Sequence, residues 1–109
     1  MALEHAIAGV PLDVRPLADR LAETPSAALF KSKDLEVMRL VLRAGKSLPV
    51  HQVPGEITIQ CIEGSLAIPL PASVVTLRAG ELLFLAAGTP HGVQAVTDTS
   101  ALVTIALRS

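Results

Sequence analysis

His51 and His91 are the residues of this chain best placed to do chemistry. Each belongs to a stretch punctuated by glycine and proline: His51 to AGKSLPVHQVPGEITIQCIEG, residues 44–64, and His91 to GELLFLAAGTPH, residues 80–91. The second stretch reads as a buried strand, a tight turn and a polar group aimed into whatever the strand encloses. Imidazoles in such places can ligate a metal, anchor a carboxylate or exchange protons near neutral pH. The competing reading is structural, since a lone histidine near a strand end is usually a hydrogen-bonded scaffold residue. His5 sits in an N-terminal arm without supporting context and is assigned no role.

Little else in the chain signals chemistry. There is one cysteine, Cys61, which excludes an intrachain disulfide, and there is no tyrosine or tryptophan. No nucleophile motif or phosphate-binding loop is present, so covalent and nucleotide chemistry are not indicated and no nucleotide cofactor is expected. The formal charge of −1, with no cluster of Lys or Arg, lacks the electrostatic footprint of a nucleic-acid or anionic-membrane binder. With only Phe30 and Phe84 aromatic, stacking on bases is not expected either. No run reaches the ~18 apolar residues of a membrane span. The start MALEHAIAG lacks a basic segment and does not resemble a secretory signal, so a cytoplasmic location is the default expectation.

The elements that position the histidines read as strands. At 109 residues the chain suits one domain. Asp13 offers an N-cap and Pro16 a first helical turn, and Val14, Leu17 and Leu21 fall at helical spacing before Pro25, predicting a helix of about two turns. From Ser26 the pattern becomes strand-like, with predicted strands over 26–31, 35–43, 56–61, 65–70, 74–77, 81–85, 92–96 and 101–107. In the third of these, Ile57, Ile59 and Cys61 take one face, and Glu56, Thr58 and Gln60 the other. Short strands at this spacing, separated by glycine and proline turns, argue for an all-β barrel or jelly roll. Residues 1–34 are then an arm and short helix packing on the barrel or on a partner, and 35–109 the barrel itself.

The two histidine stretches resemble the paired motifs of the cupin superfamily. The first motif keeps its frame as Gly45, five residues, His51, Gln52, Val53 and finally Gly64. The second runs Gly80, five residues, Ala86, Ala87, Gly88, two residues, His91. The resemblance covers residues 35–107 and looks most like the small single-domain bacterial members, of RmlC-like jelly-roll type. It implies a small double-stranded β-helix with one short N-terminal helix, and it brings His51 and His91 close together in one pocket. It also implies that the family's second motif-one histidine is replaced by Val53 and its metal-binding glutamate by Ile57. Two imidazoles need a third donor to hold a divalent transition ion such as Zn, Ni, Mn or Fe. Glu56 or Gln60 would supply it only if a bulge near Pro54-Gly55 turned the strand over.

The expected pocket is lined by His51, Val53, Ile57, Ile59, Cys61, Phe84 and His91. Cys61 in such surroundings is expected to be an inert small hydrophobe. Two functions from different classes are compatible with these residues. One is a module that encloses a small apolar molecule with His51 and His91 as polar anchors and, optionally, a metal. The other is a metal-dependent enzyme of oxygenase, isomerase or hydrolase type, in which His51, His91 and a third donor hold the ion. Finally, 50% hydrophobic against 17% charged residues is too oily a balance for a barrel with all its outer faces in water, and a homodimer is expected.

Overall fold

The computed structural model describes residues 6–107. Among the described residues nine strands form two antiparallel sheets: β1 (Ala27–Lys31), β2 (Leu35–Leu42), β3 (Ser47–His51), β4 (Ile57–Glu63), β5 (Ser65–Pro69), β6 (Val74–Arg78), β7 (Leu82–Leu85), β8 (His91–Ala95) and β9 (Thr99–Ala106). The larger sheet has the order β1-β2-β9-β4-β7 and the smaller β3-β8-β5-β6. The fold is all-β, a jelly roll in which consecutive strands repeatedly cross from one sheet to the other.

Alternation along the strands builds the core. On β4, Ile57, Ile59 and Cys61 are buried while Thr58 and Gln60 are only half-buried, and β5 sends in Leu66 and Ile68. Across the sheet Ile57 pairs with Ile105, Ile59 with Val103 and Cys61 with Ala101, so the inward faces of β4 and β9 coincide. Together with Leu40, Leu77, Leu85, Val93 and Ala95 they form one continuous core between the sheets. Truncating a fully buried member such as Ile59 to alanine is expected to cost about 2–5 kcal/mol.

Two elements differ from expectation. The strand β3, SLPVH, was not predicted, because Pro49 interrupts it and only Leu48 among its residues is even half-buried. It is tolerated as an edge strand, where a missing N–H leaves no ladder bond unmade, and its pairing with β8 is irregular between Leu48 and His51.

The expected two-turn helix capped by Asp13 is instead a six-residue 3-10 helix, Ala18–Glu23. Asp13 is engaged locally, its Oδ1 accepting from the Arg15 backbone N–H at 2.9 Å and from Arg15 Nε at 3.1 Å. The cap comes from across the molecule. Glu63 Oε2 accepts from Leu17 N–H at 2.8 Å and Oε1 from Ala18 N–H at 3.0 Å. Leu17 is right-handed and Ala18 left-handed (φ 51°), the backbone sequence that points successive N–H groups at one anion. Leu17 and Leu21 are thereby buried against the barrel.

Candidate functional site

The site lies where β3 and β8 meet. His51 and His91 are direct cross-strand partners, with ring centroids 4.6 Å apart and planes tilted by 49°. His91 is buried and His51 exposed, so the pair runs from the barrel interior to its mouth. Turn chemistry delivers both rings. Gly88 adopts φ 77°, a conformation open to glycine, and its N–H donates to Val53 O at 2.9 Å, tying the turn before His91 to the chain just after His51. Thr89 closes the same turn through its N–H and hydroxyl, both donating to Ala86 O.

The two rings are held in the same way. His91 Nδ1 lies 3.0 Å from Thr89 O, and His51 Nδ1 lies 3.2 Å from Pro49 O. A carbonyl can only accept, so each Nδ1 carries the proton in these bonds, and each neutral ring is left with its lone pair on Nε2. Both rings border a cavity of about 80 Å³ whose other walls are apolar: Met38 and Leu40 of β2, Ile57 and Ile59 of β4, Val103 and Ile105 of β9, with Leu48 and Val93 beside the histidines. That is room for a handful of waters or a ligand of a few heavy atoms.

Four of the residues proposed from the sequence therefore meet at this cavity: His51, Ile57, Ile59 and His91. The other three do not line it. Val53 packs half-buried against the core. Cys61 is wholly buried deeper in the barrel, with Sγ directed at the carbonyls of Glu63 and Gly64. Burial, reinforced by the Glu81 charge, pushes its thiol pKa up, so it stays protonated. Phe84 is a correction: it pairs with Thr58 on the outer face of the larger sheet and is 59% exposed, because Leu83 and Leu85 take the inward positions of β7.

Glu56 and Gln60 also stay off the cavity. The strand does not turn over after Pro54-Gly55, because Gly55 holds its register. A Cβ at position 55 would stand 1.8 Å from Ala106 O, and Ala106 N–H donates to Glu56 O at 2.9 Å. This close approach locks Ile57 inward, opposite Ile105. Among the described residues no three His, Cys, Asp or Glu side chains cluster as a metal-binding group.

Two contributors escaped the sequence reading: Met38 brings a thioether to the cavity wall, and Glu63 anchors the N-terminal segment. Met38 was traceable through the inward face of β2, but nothing local distinguishes Glu63.

Comparison with known proteins agrees with this architecture. An RmlC-like cupin from Desulfovibrio desulfuricans is 29% identical over 97% of this chain and 96% of its own, with a TM-score of 0.70. A cupin superfamily protein from Desulfitobacterium hafniense is 18% identical and covers 99% of this chain and 100% of its own, with a TM-score of 0.79. The DMSP lyase DddQ from Ruegeria pomeroyi is 22% identical over 75% of this chain and 46% of its own, with a TM-score of 0.68. No protein-family model matches the sequence, and no match to a curated protein was found. The chain belongs to the cupin superfamily. In this chain two histidines share an otherwise apolar cavity.

Proposed function

We propose that this cupin is a small-molecule binding module whose ligand enters at β3 and β8 and is held by the Nε2 atoms of His51 and His91. The observation that carries this reading is the shared tethering of both Nδ1 atoms to backbone carbonyls, which leaves two acceptors beside an otherwise apolar wall. A matching ligand is small, largely apolar, and presents a hydroxyl, amine or acid proton to the imidazoles. A carboxylic acid fits well, because transfer of its proton to either ring leaves a charge-assisted pair.

A second reading, a metal-dependent enzyme, is favoured by one feature: ligating histidines commonly donate their other ring N–H to a carbonyl, as both rings do here. The DMSP lyase among the structural neighbours illustrates that the fold accommodates an enzyme. Among the described residues, however, Zn, Ni, Mn or Fe would find two imidazoles and no carboxylate on the cavity wall, and the further donor there is the Met38 thioether, which suits a softer ion.

The test is metal analysis of the purified protein, wild type against His51→Ala and His91→Ala, followed by calorimetric titration with short-chain carboxylic acids. The binding reading expects substoichiometric metal in all three proteins, and acid binding that weakens at least about tenfold in each variant. Near-stoichiometric divalent metal in the wild type, lost in both variants, would overturn it in favour of the enzyme.

A further inference from the structure

The donors at the cavity fit a different cation from Zn, Ni, Mn or Fe. Two of them come from the smaller sheet: the Nε2 atoms of His51 and His91, which keep their lone pairs because each Nδ1–H donates to a backbone carbonyl. The third comes from the facing sheet, where Met38 of β2 lines the same cavity of about 80 Å³. Facing sheets pack about 10 Å apart, a gap that an imidazole, an ion and a thioether together span. Met38 pairs with Val103 of β9 and is half-buried, and its three rotatable bonds let the sulfur adjust to an ion.

All three donors are neutral. Among the described residues no carboxylate or thiolate joins them, and the rest of the cavity wall is aliphatic. The cost of bringing an ion into such surroundings grows with the square of its charge, so a divalent cation without an anionic ligand is penalised about four times as heavily as a monovalent one. Thioether sulfur and imidazole are also ligands that Cu(I), a soft monovalent ion, accepts well.

The spacing of the rings leaves room for the third ligand. At the usual metal–imidazole distance of about 2.0–2.1 Å, an ion with the two Nε2 atoms on opposite sides would hold the ring centroids about 6.4 Å apart. The observed 4.6 Å corresponds instead to a bent arrangement of roughly 90° at the ion. The far side of the ion is then open to a sulfur from β2. His51, exposed at the mouth, offers the first contact to an ion arriving from water, and His91 the second inside.

We propose that His51 Nε2, His91 Nε2 and Met38 Sδ form a three-coordinate site for Cu(I). Cys61 takes no part, since its thiol lies deeper in the barrel, directed at the carbonyls of Glu63 and Gly64. The site goes beyond the small-molecule reading while sharing its Nε2 atoms, so bound Cu(I) excludes the acid. Acid affinity is measured on metal-free protein and Cu(I) affinity without acid, and either can fail alone.

The test titrates metal-free protein with Cu(I), kept reduced by ascorbate without oxygen, against a chromogenic Cu(I) chelator, and with Zn²⁺ against a chromogenic Zn²⁺ chelator. Wild type is expected to bind one equivalent of Cu(I) at least about 100-fold more tightly than Zn²⁺. Met38→Leu, which conserves volume, should weaken Cu(I) binding by at least about tenfold and leave Zn²⁺ affinity within about twofold. His51→Ala should weaken Cu(I) binding by at least about 100-fold, and Cys61→Ala should leave it unchanged. In the wild type, Ag(I), a redox-inert substitute, should shift the NMR signals of the Met38 methyl and of both imidazoles, a readout that needs no variant to fold. No Cu(I) binding by the wild type, Zn²⁺ bound as tightly as Cu(I), undiminished Cu(I) affinity in Met38→Leu, an equal loss in Cys61→Ala, or a Met38 methyl signal unmoved by Ag(I) would each overturn the assignment.

Discussion

Replacing Glu63 by glutamine tests whether one carboxylate holds the N-terminal segment onto the barrel. In the wild type this carboxylate accepts from the N–H groups of Leu17 and Ala18 and from the Ser100 hydroxyl. A glutamine keeps the shape but has one acceptor oxygen, so its NH₂ must face a donor and one backbone N–H loses its partner. Hydrogen bonds to a charged group contribute about 1.5–3 kcal/mol and neutral ones about 0.5–1.5, so the exchange should cost roughly 2 kcal/mol. For a domain of this size 2 kcal/mol lowers Tm by about 8 °C.

The dependence on pH gives a second handle on the same contact. Burial works to raise the Glu63 pKa, but the Ser100, Leu17 and Ala18 hydrogen bonds and the Arg39 charge outweigh it, and the pKa falls below its ordinary 4.5. A carboxylate whose pKa is lower folded than unfolded contributes its full stability above the unfolded value and loses it as pH drops through the folded value. The gap in Tm between wild type and Glu63→Gln should therefore be full at pH 7 and close below about pH 4. Thermal melts at fixed protein concentration, recorded from pH 7 to pH 3, measure both quantities. A variant within about 0.5 kcal/mol of wild type at pH 7, or a gap that persists unchanged at pH 3, would refute the role assigned to Glu63.

Two further substitutions probe the site and its support. Ile57→Glu places a carboxylate on the cavity wall beside His51 and His91; it should cost about 3 kcal/mol or more without metal and raise Zn²⁺ affinity by at least tenfold, measured by denaturant melts and competition with a chromogenic chelator. Gly55→Ala forces a Cβ to within 1.8 Å of Ala106 O, so the loop must withdraw from β9. A loss of more than about 3 kcal/mol is expected, checked by urea unfolding, and a loss under 1 kcal/mol would show that Gly55 does not set the register of β4.

Much of the architecture was legible because strand alternation is a local signal. Ile57, Ile59 and Cys61 point inward whatever their neighbours do, and the glycine and proline turns mark where each strand ends. The strand carrying His51 was not legible, because Pro49 and its exposed neighbours give β3 no alternation, and only pairing with β8 makes it a strand. Phe84 was misplaced for a related reason: every residue of LLFL is apolar, so periodicity cannot choose a face, and the register with β4 does.

The sequence alone thus determined the class of fold and the two histidines, because these depend on residue type and on spacing along the chain; that Val53 and Ile57 stand where ligands would be is what the family resemblance implies. Tertiary structure decided what lies between residues distant in sequence. It set the tautomers of His51 and His91 through carbonyls held at fixed distances, and it kept Glu56 outside by the contact of Gly55 with β9. It also drew the N-terminal segment onto Glu63, whose partners lie 45 and 46 residues away. Hydrogen-bond geometry across such separations is a property of packed strands, and no local pattern encodes it.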